Sequence, residues 1–363
     1  MGLKTMKMEF RKGWKGFTIF ILVVVLVAAG MTQLYPVVRD SFEDGSEELE
    51  GAELVSLEVL ENGSLYLEWE AVENAQEYLI LEDTGSHMAT SREVGRTGAT
   101  NVTITDADIS LEDERYYGVV AVVGESRVPV GMASTVERKS PLEEMMETPY
   151  FQMFTAGRED VRMDEIEGFL SVELYSWWIL LVGVYLSYLS VKSVTGDFEG
   201  GRMDILFSTP LSRKGYLLQK FASLALFSLI LLVLVGIVLV LSVYSVGEGW
   251  MFYSFFVSVV ISWPMLLVII AVSIFFGVLF KNSRGAIGAS FGVILVQYAL
   301  FMAGHMLDEL EFVLPFTISN YWDYNSVLLD GVVYPSHLLL LISVAVVLVV
   351  GSLIVFEKSD IPV

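Results

Sequence analysis

The amino-acid sequence predicts an all-α membrane bundle of six spans, with an extracytoplasmic β-sandwich domain inserted after the first. Three observations carry that expectation. The composition is 54% hydrophobic with a mean hydropathy of +0.60, which suits a membrane protein better than a soluble enzyme. Six apolar runs approach or exceed the ~20 residues that cross a ~30 Å hydrocarbon core. The charge, finally, is confined to one block: residues 36–170 hold nine Lys/Arg against thirty-one Asp/Glu, and the rest of the chain holds thirteen of each. The whole net charge of −22 therefore belongs to that block, which reads as a separate soluble domain. Acidity on this scale favours solubility and disfavours nucleic acid. Cysteine is absent, which excludes disulfides, thiolate nucleophiles and Cys-ligated zinc.

Residues 1–16 come first. Met6, Phe10 and Trp14 recur every four residues beside Lys7, Arg11 and Lys15, so a helix here is basic and amphipathic and suits the inner membrane interface. The same charges also serve as a plain topology signal. Residues 17–34 form the first span. Its VAAG reads like a signal-cleavage site, but the apolar core exceeds the ~7–15 residues of a signal peptide, so an uncleaved anchor is expected. Residues 37–53, acidic and containing Ser and Gly, read as a linker.

From 54 to 136 the pattern becomes short and alternating. Two strands flank Asn62-Gly63, a dipeptide suited to a tight hairpin turn, and Leu65, Leu67 and Trp69 share one face. Tyr78 and Ile80 mark another strand, and Tyr117, Val119 and Ala121 a further one, while 87–96 is weakly patterned. The spacing of Trp69, Tyr78, Leu111 and Tyr117-x-Val119-x-Ala121 resembles a fibronectin type III domain, a small β-sandwich. Ser140-x-x-Glu143 has the form of a capping box, so 137–169 is expected to return to the membrane as a helix.

The remaining spans are 170–191, 216–246, 250–280, 286–303 and 337–356, with a tail at 357–363. The third and fourth spans exceed the minimum, which implies tilt or protrusion, and Pro264 should kink the fourth. Basic residues orient the bundle. They precede the first span, surround the second-to-third connection, and recur at Lys281, Arg284 and Lys358, whereas the third-to-fourth and fifth-to-sixth connections carry none. Both termini are therefore expected in the cytoplasm of a multi-pass plasma-membrane protein, and the acidic domain outside.

The second-to-third connection, DFEGGRMDILFSTPLSRKGYLLQK at 197–220, is too polar for hydrocarbon. Thr209 suits an N-cap and Pro210 the first helical position, so a short helix, a break and a restart are expected. An acidic residue and Gly, an aliphatic run (Met203, Ile205, Leu206, Phe207), then S-T-P-x-S-R and a Lys at the next span resemble the ABC transporter permeases of the ABC-2 type. EFRKGWKGF, followed by a span ending in LYP, is similar to that family's N-terminal elbow. The resemblance implies that 197–215 is the coupling segment that docks on a separate ABC ATP-binding subunit. Its residues would be Glu199, Gly201, Asp204, Ser208, Thr209, Pro210, Ser212, Arg213 and Lys220. Gly200 and Arg202 depart from the family's commoner acid and small residue. The resemblance also implies a second permease copy or a homologue as dimer partner, with ATP and Mg²⁺ held by the ATPase.

Chemistry of the chain's own is not expected. There is no G-x-x-x-x-G-K-[ST] motif, so no phosphate cradle, no catalytic residue and no cofactor of its own. His87, His305 and His337 lack ligand spacing and read as loop or span-boundary residues rather than metal ligands. Asp106-x-Asp108-x-Ser110 lacks the Gly and final acid of a calcium loop. Asn62 and Asn101 open glycosylation sequons; Asn62 is explained well enough by its turn, which leaves Asn101 the better candidate. Gly288-x-x-x-Gly292 permits close helix approach, within the subunit or across a dimer seam. Glu173 and Lys220 lie near span ends and can reach an interface, which leaves the span interiors almost free of ionisable groups. Ion-coupled carriers need such groups, so the energy is expected from outside the chain. Two alternatives stay open: force transmission by an ATPase without transport, and a membrane-anchored receptor or adhesion protein working through a ligand of its β domain.

Overall fold

The computed structural model describes residues 2–50, 55–60, 64–83, 91–104, 115–124, 126–135, 148–203 and 212–359, with backbone alone at 2–14, 42–50, 59 and 149. The chain divides into two compact units, Met1–Arg39 with Met146–Val363, and Asp40–Met145.

Six helices in the described residues are long and apolar enough to cross a membrane. The first lies within α1 (Gly2–Glu50), which differs from expectation. An elbow, a span and a linker are read from the sequence, but the backbone is a single helix. Met, Lys, Leu and Glu on either side of the apolar run are all good helix formers, and Pro36 removes one hydrogen bond without stopping the helix. The others are α2 (Ile166–Glu199), α3 (Arg213–Ser245), α4 (Tyr253–Phe280), α5 (Ser283–Met306) and α6 (Pro335–Lys358). The 33 residues of α3 extend for roughly 50 Å at ~1.5 Å each, longer than the hydrocarbon is thick. Near Pro264 the helical ladder of α4 is interrupted, at Ile261–Ser262, and Pro264 sits in the first turn of the stretch that resumes at Trp263.

At the centre stands α4, which packs on α2, α3, α5 and α6. Two-thirds of its most apolar window is buried, as for α2, against 17% for α6 and 28% for α5. Hydroxyls and aromatic rings join α2 to α4: Tyr175 Oη and Ser258 Oγ lie 2.7 Å apart, Trp178 Nε1 donates to Ser262 Oγ at 3.2 Å, and Ser273 Oγ donates to Ser187 Oγ at 2.8 Å. In lipid, where burial of apolar surface gives little drive between helices, such bonds and close packing hold a bundle together.

The expected helical return at 137–169 is corrected over its described part. From residue 148 only Pro149–Gln152 is helical before α2, and turns fill the interval. Ala156 and Gly157 take left-handed φ values of +54° and +75°, which no helix accommodates. Arg158 and Arg162 then bind Asp160 and Asp164, two residues on, in place of helical i,i+4 partners. The capping box at Ser140–Glu143 lies outside the described residues.

Among the described residues of the second unit, seven strands form two antiparallel sheets. They are β1 (Val55–Val59), β2 (Leu65–Trp69), β3 (Glu77–Asp83), β4 (Arg92–Thr97), β5 (Asn101–Ile104), β6 (Tyr116–Val123) and β7 (Ser126–Ser134), ordered β1-β2-β5 and β4-β3-β6-β7. The alternation read from sequence is the core: Leu65, Leu67 and Trp69 from one sheet meet Tyr78, Ile80, Tyr117, Val119 and Ala121 from the other. The arrangement is sandwich-like. Pro129 sits on edge strand β7 where the register shifts, a place where no ladder donor is needed.

Candidate functional site

The segment singled out by sequence joins α2 to α3, and both of its described flanks are tied into the bundle. α2 ends in a Schellman motif, in which Arg202 N–H donates to the Asp197 carbonyl and Gly201 N–H to that of Phe198, each at 3.1 Å. Gly201 closes it at φ +61°, where a Cβ is costly. Across the gap, Ser212 caps α3, its Oγ accepting the Gly215 N–H at 3.0 Å. Asp204, Ser208, Thr209 and Pro210, with the restart expected at Thr209-Pro210, lie outside the described residues. Met203 is buried beneath the junction beside Val194, Tyr216, Leu217, Ile274 and Phe356.

Asp197 is the hub of the junction. Its Oδ2 accepts from Lys220 Nζ at 2.8 Å and Tyr216 Oη at 2.9 Å, and its Oδ1 from Arg202 Nε at 2.9 Å. The side chains of Lys220 and Asp197 are 3% and 5% exposed. This corrects the expectation that Lys220 reaches an interface. A buried ammonium needs a counter-charge, and the last turn of α2 supplies one.

Glu199 and Arg213 fasten two further helices. Glu199 Oε1 accepts the backbone N–H of Ser283 at 2.6 Å and its Oε2 the Ser283 hydroxyl at 2.7 Å, so a carboxylate from α2 caps the N-terminus of α5. Arg213 Nη1 donates to the Ser359 carbonyl at 3.0 Å and the Glu357 carbonyl at 3.3 Å, where α6 ends. Four helices thus converge on one polar junction.

The other predicted residues are scattered. Gly288 and Gly292 are exposed on α5, and a Cβ built on either meets nothing within 4 Å, so the expected close approach within the subunit is not made by the described residues. Asn101 opens β5 with its side chain exposed, and Asn62 lies outside the described residues. Sequence reasoning missed Asp197, Tyr216 and Ser283 as partners. The available signal was Lys220 itself, since a lysine within an apolar helix demands an acid nearby.

Six apolar helices, four of which converge on a polar junction at the segment joining α2 to α3, define a polytopic membrane protein. The family of ABC-2 family transporter proteins matches residues 4–361, and the chain belongs to that family. It is a membrane protein consistent with the permease subunit of an ABC transporter, and the family in general pairs with an ABC ATPase subunit. Among curated proteins, none matches this chain.

Proposed function

We propose that the chain is the permease subunit of an ATP-driven exporter, with 197–215 as the surface on which a separate ATPase subunit docks. The observation that carries this is the junction itself. A displacement of the segment pulls on α2 and α3 through Asp197–Lys220, on α5 through Glu199 and on α6 through Arg213. An ATPase that closes on ATP and Mg²⁺ can then switch the bundle between two packed arrangements as a rigid-body movement. Both termini are cytoplasmic in this reading, and the β unit, resembling a fibronectin type III domain, is extracytoplasmic. The open glycine face of α5 is the seam for a second copy or a homologue.

A reading without transport has one observation in its favour, the compact β unit Asp40–Met145, which could take up force for an extracytoplasmic partner. ATP-dependent accumulation of labelled compounds in proteoliposomes separates the two. The docking reading itself is tested by co-expression with a Walker-motif ATPase. It expects co-purification in mild detergent and ATP hydrolysis that responds to the permease; an ATPase that purifies apart and hydrolyses ATP identically alone sinks it.

A further inference from the structure

A cavity of about 420 Å³ opens in the membrane unit at the far end of α5 from Glu199, within the ~300–1,000 Å³ typical of small-molecule sites. Phe301, His305, Ser319, Trp322, Tyr324 and His337 line it, so two histidines remote in sequence share one wall. Four polar atoms of its lining residues, His305 Nε2, His337 Nδ1, Ser319 Oγ and Tyr324 Oη, are buried with no hydrogen-bond partner among the described residues. Ser319 as a whole is 6% exposed. One unsatisfied buried group is uncommon, and four around one cavity point to a ligand.

The rings are held in place. Phe301 meets the His305 ring edge-on at 4.7 Å, and Gly157 lies so close that a Cβ there would stand 2.6 Å from His305 Nδ1. Tyr321 and Tyr334 flank His337 at 5.5 and 5.3 Å. The charges lining the cavity, by contrast, are engaged. Arg158 binds Asp160 and Asp330 through two bonds each, at 2.5–3.2 Å. Asp323 accepts the Ser326 N–H at 3.1 Å and hydroxyl at 2.6 Å. An ionic ligand would have to break these pairs. The uncommitted buried atoms are an alcohol, a phenol and two imidazole nitrogens, each able to complement a hydroxyl, between apolar aromatic faces. We infer that this cavity binds a neutral polyhydroxylated group, the sugar ring of a free glycoside or of a glycolipid headgroup.

The inference stands apart from ATPase docking, and its test involves no ATPase. Full-length protein in phosphatidylcholine nanodiscs is titrated calorimetrically with methyl β-glucoside and with maltose. In a second arm, nanodiscs containing monoglucosyl diacylglycerol are compared with undoped ones by hydrogen exchange over residues 301–326. Saturable binding of a soluble glycoside assigns the free source, and protection in doped discs alone assigns the headgroup. Ser319→Ala and His337→Phe should each weaken binding about tenfold, the loss of roughly one buried hydrogen bond. Neither should lower the thermal midpoint, because Ser319 Oγ and His337 Nδ1 have no hydrogen-bond partner among the described residues. A residue with a merely structural role would show the reverse. Absence of binding in both arms, a stronger response to inorganic phosphate, or unchanged affinity in both variants overturns the inference.

Discussion

Asp197 and Lys220 carry the energetic weight of the junction because neither can be solvated where it stands. Replacing one member of a buried pair costs more than replacing both, since the survivor keeps its desolvation penalty. Asp197→Leu removes the acceptor shared by Arg202, Tyr216 and Lys220, and is expected to cost about 3–5 kcal/mol. Asp197→Leu combined with Lys220→Met should recover much of that loss. Apparent melting temperatures of the detergent-solubilised chain check the order; a double variant less stable than Asp197→Leu contradicts it. In the β unit, Glu82 provides a pH-dependent contact. Burial pushes its carboxyl up, but hydrogen bonds from Arg115, Arg92 and Tyr117 outweigh that and hold it below the ordinary value. A depressed folded-state pKa contributes stability that is present above the unfolded value near ~4.3 and lost as pH falls through the folded one. Protection of β3 and β6 amides, relative to their intrinsic exchange rates at each pH, should therefore fall below about pH 4, and Glu82→Gln should flatten that acid limb.

Helix ends, rather than helix faces, join the elements of the junction. The carboxylate that caps α5 comes from α2, and the guanidinium that closes α6 comes from α3. From sequence these residues look interfacial, so that their replacement would cost little; in the structure they are caps. Glu199→Ala is expected to lower stability slightly and to speed amide exchange over residues 283–287, with Glu199→Gln intermediate. Unchanged exchange there would show that Ser283 finds another acceptor. How much was legible from sequence obeys the same division. Spans and the four strands β1, β2, β3 and β6 could be read because each has an unbroken apolar run or a clean period of two. β4 (REVGRT) alternates too weakly to be seen, and its half-exposed residues show why: little of it enters the core. The turns at 153–165 fall in a stretch read as helical from the capping box at Ser140–Glu143 upstream, and a left-handed Ala156 leaves no mark in such a pattern. Asp197–Lys220 was half legible. The lysine stood out, but its acid lay across a loop, and pairing across a loop is decided by packing.

At the scale of the whole molecule, the unequal burial of the helices is the remaining feature. α2 and α4 are mostly enclosed, whereas α1, α5 and α6 keep most of their apolar surface outward, where lipid or a second copy must cover it. On α5 the outward face includes Gly288 and Gly292 with Val293, Leu295 and Val296, a flat strip that permits backbones to approach closely. Large side chains at the two glycines discriminate between the covers. Among the described residues there is open space at both positions, and leaving glycine gains about 1 kcal/mol of helix propensity per site, so Gly288→Leu with Gly292→Leu should leave the monomer as stable as before or more so. A partner helix packed on the strip would instead be forced away by two isobutyl groups. The expected outcome is a shift from dimer to monomer in native mass spectrometry from mild detergent, with an unaltered or raised melting temperature. ATPase binding to each monomer should persist, because the junction that tethers α2, α3, α5 and α6 is untouched. A double variant that stays dimeric would place the seam elsewhere and leave the α5 face to lipid.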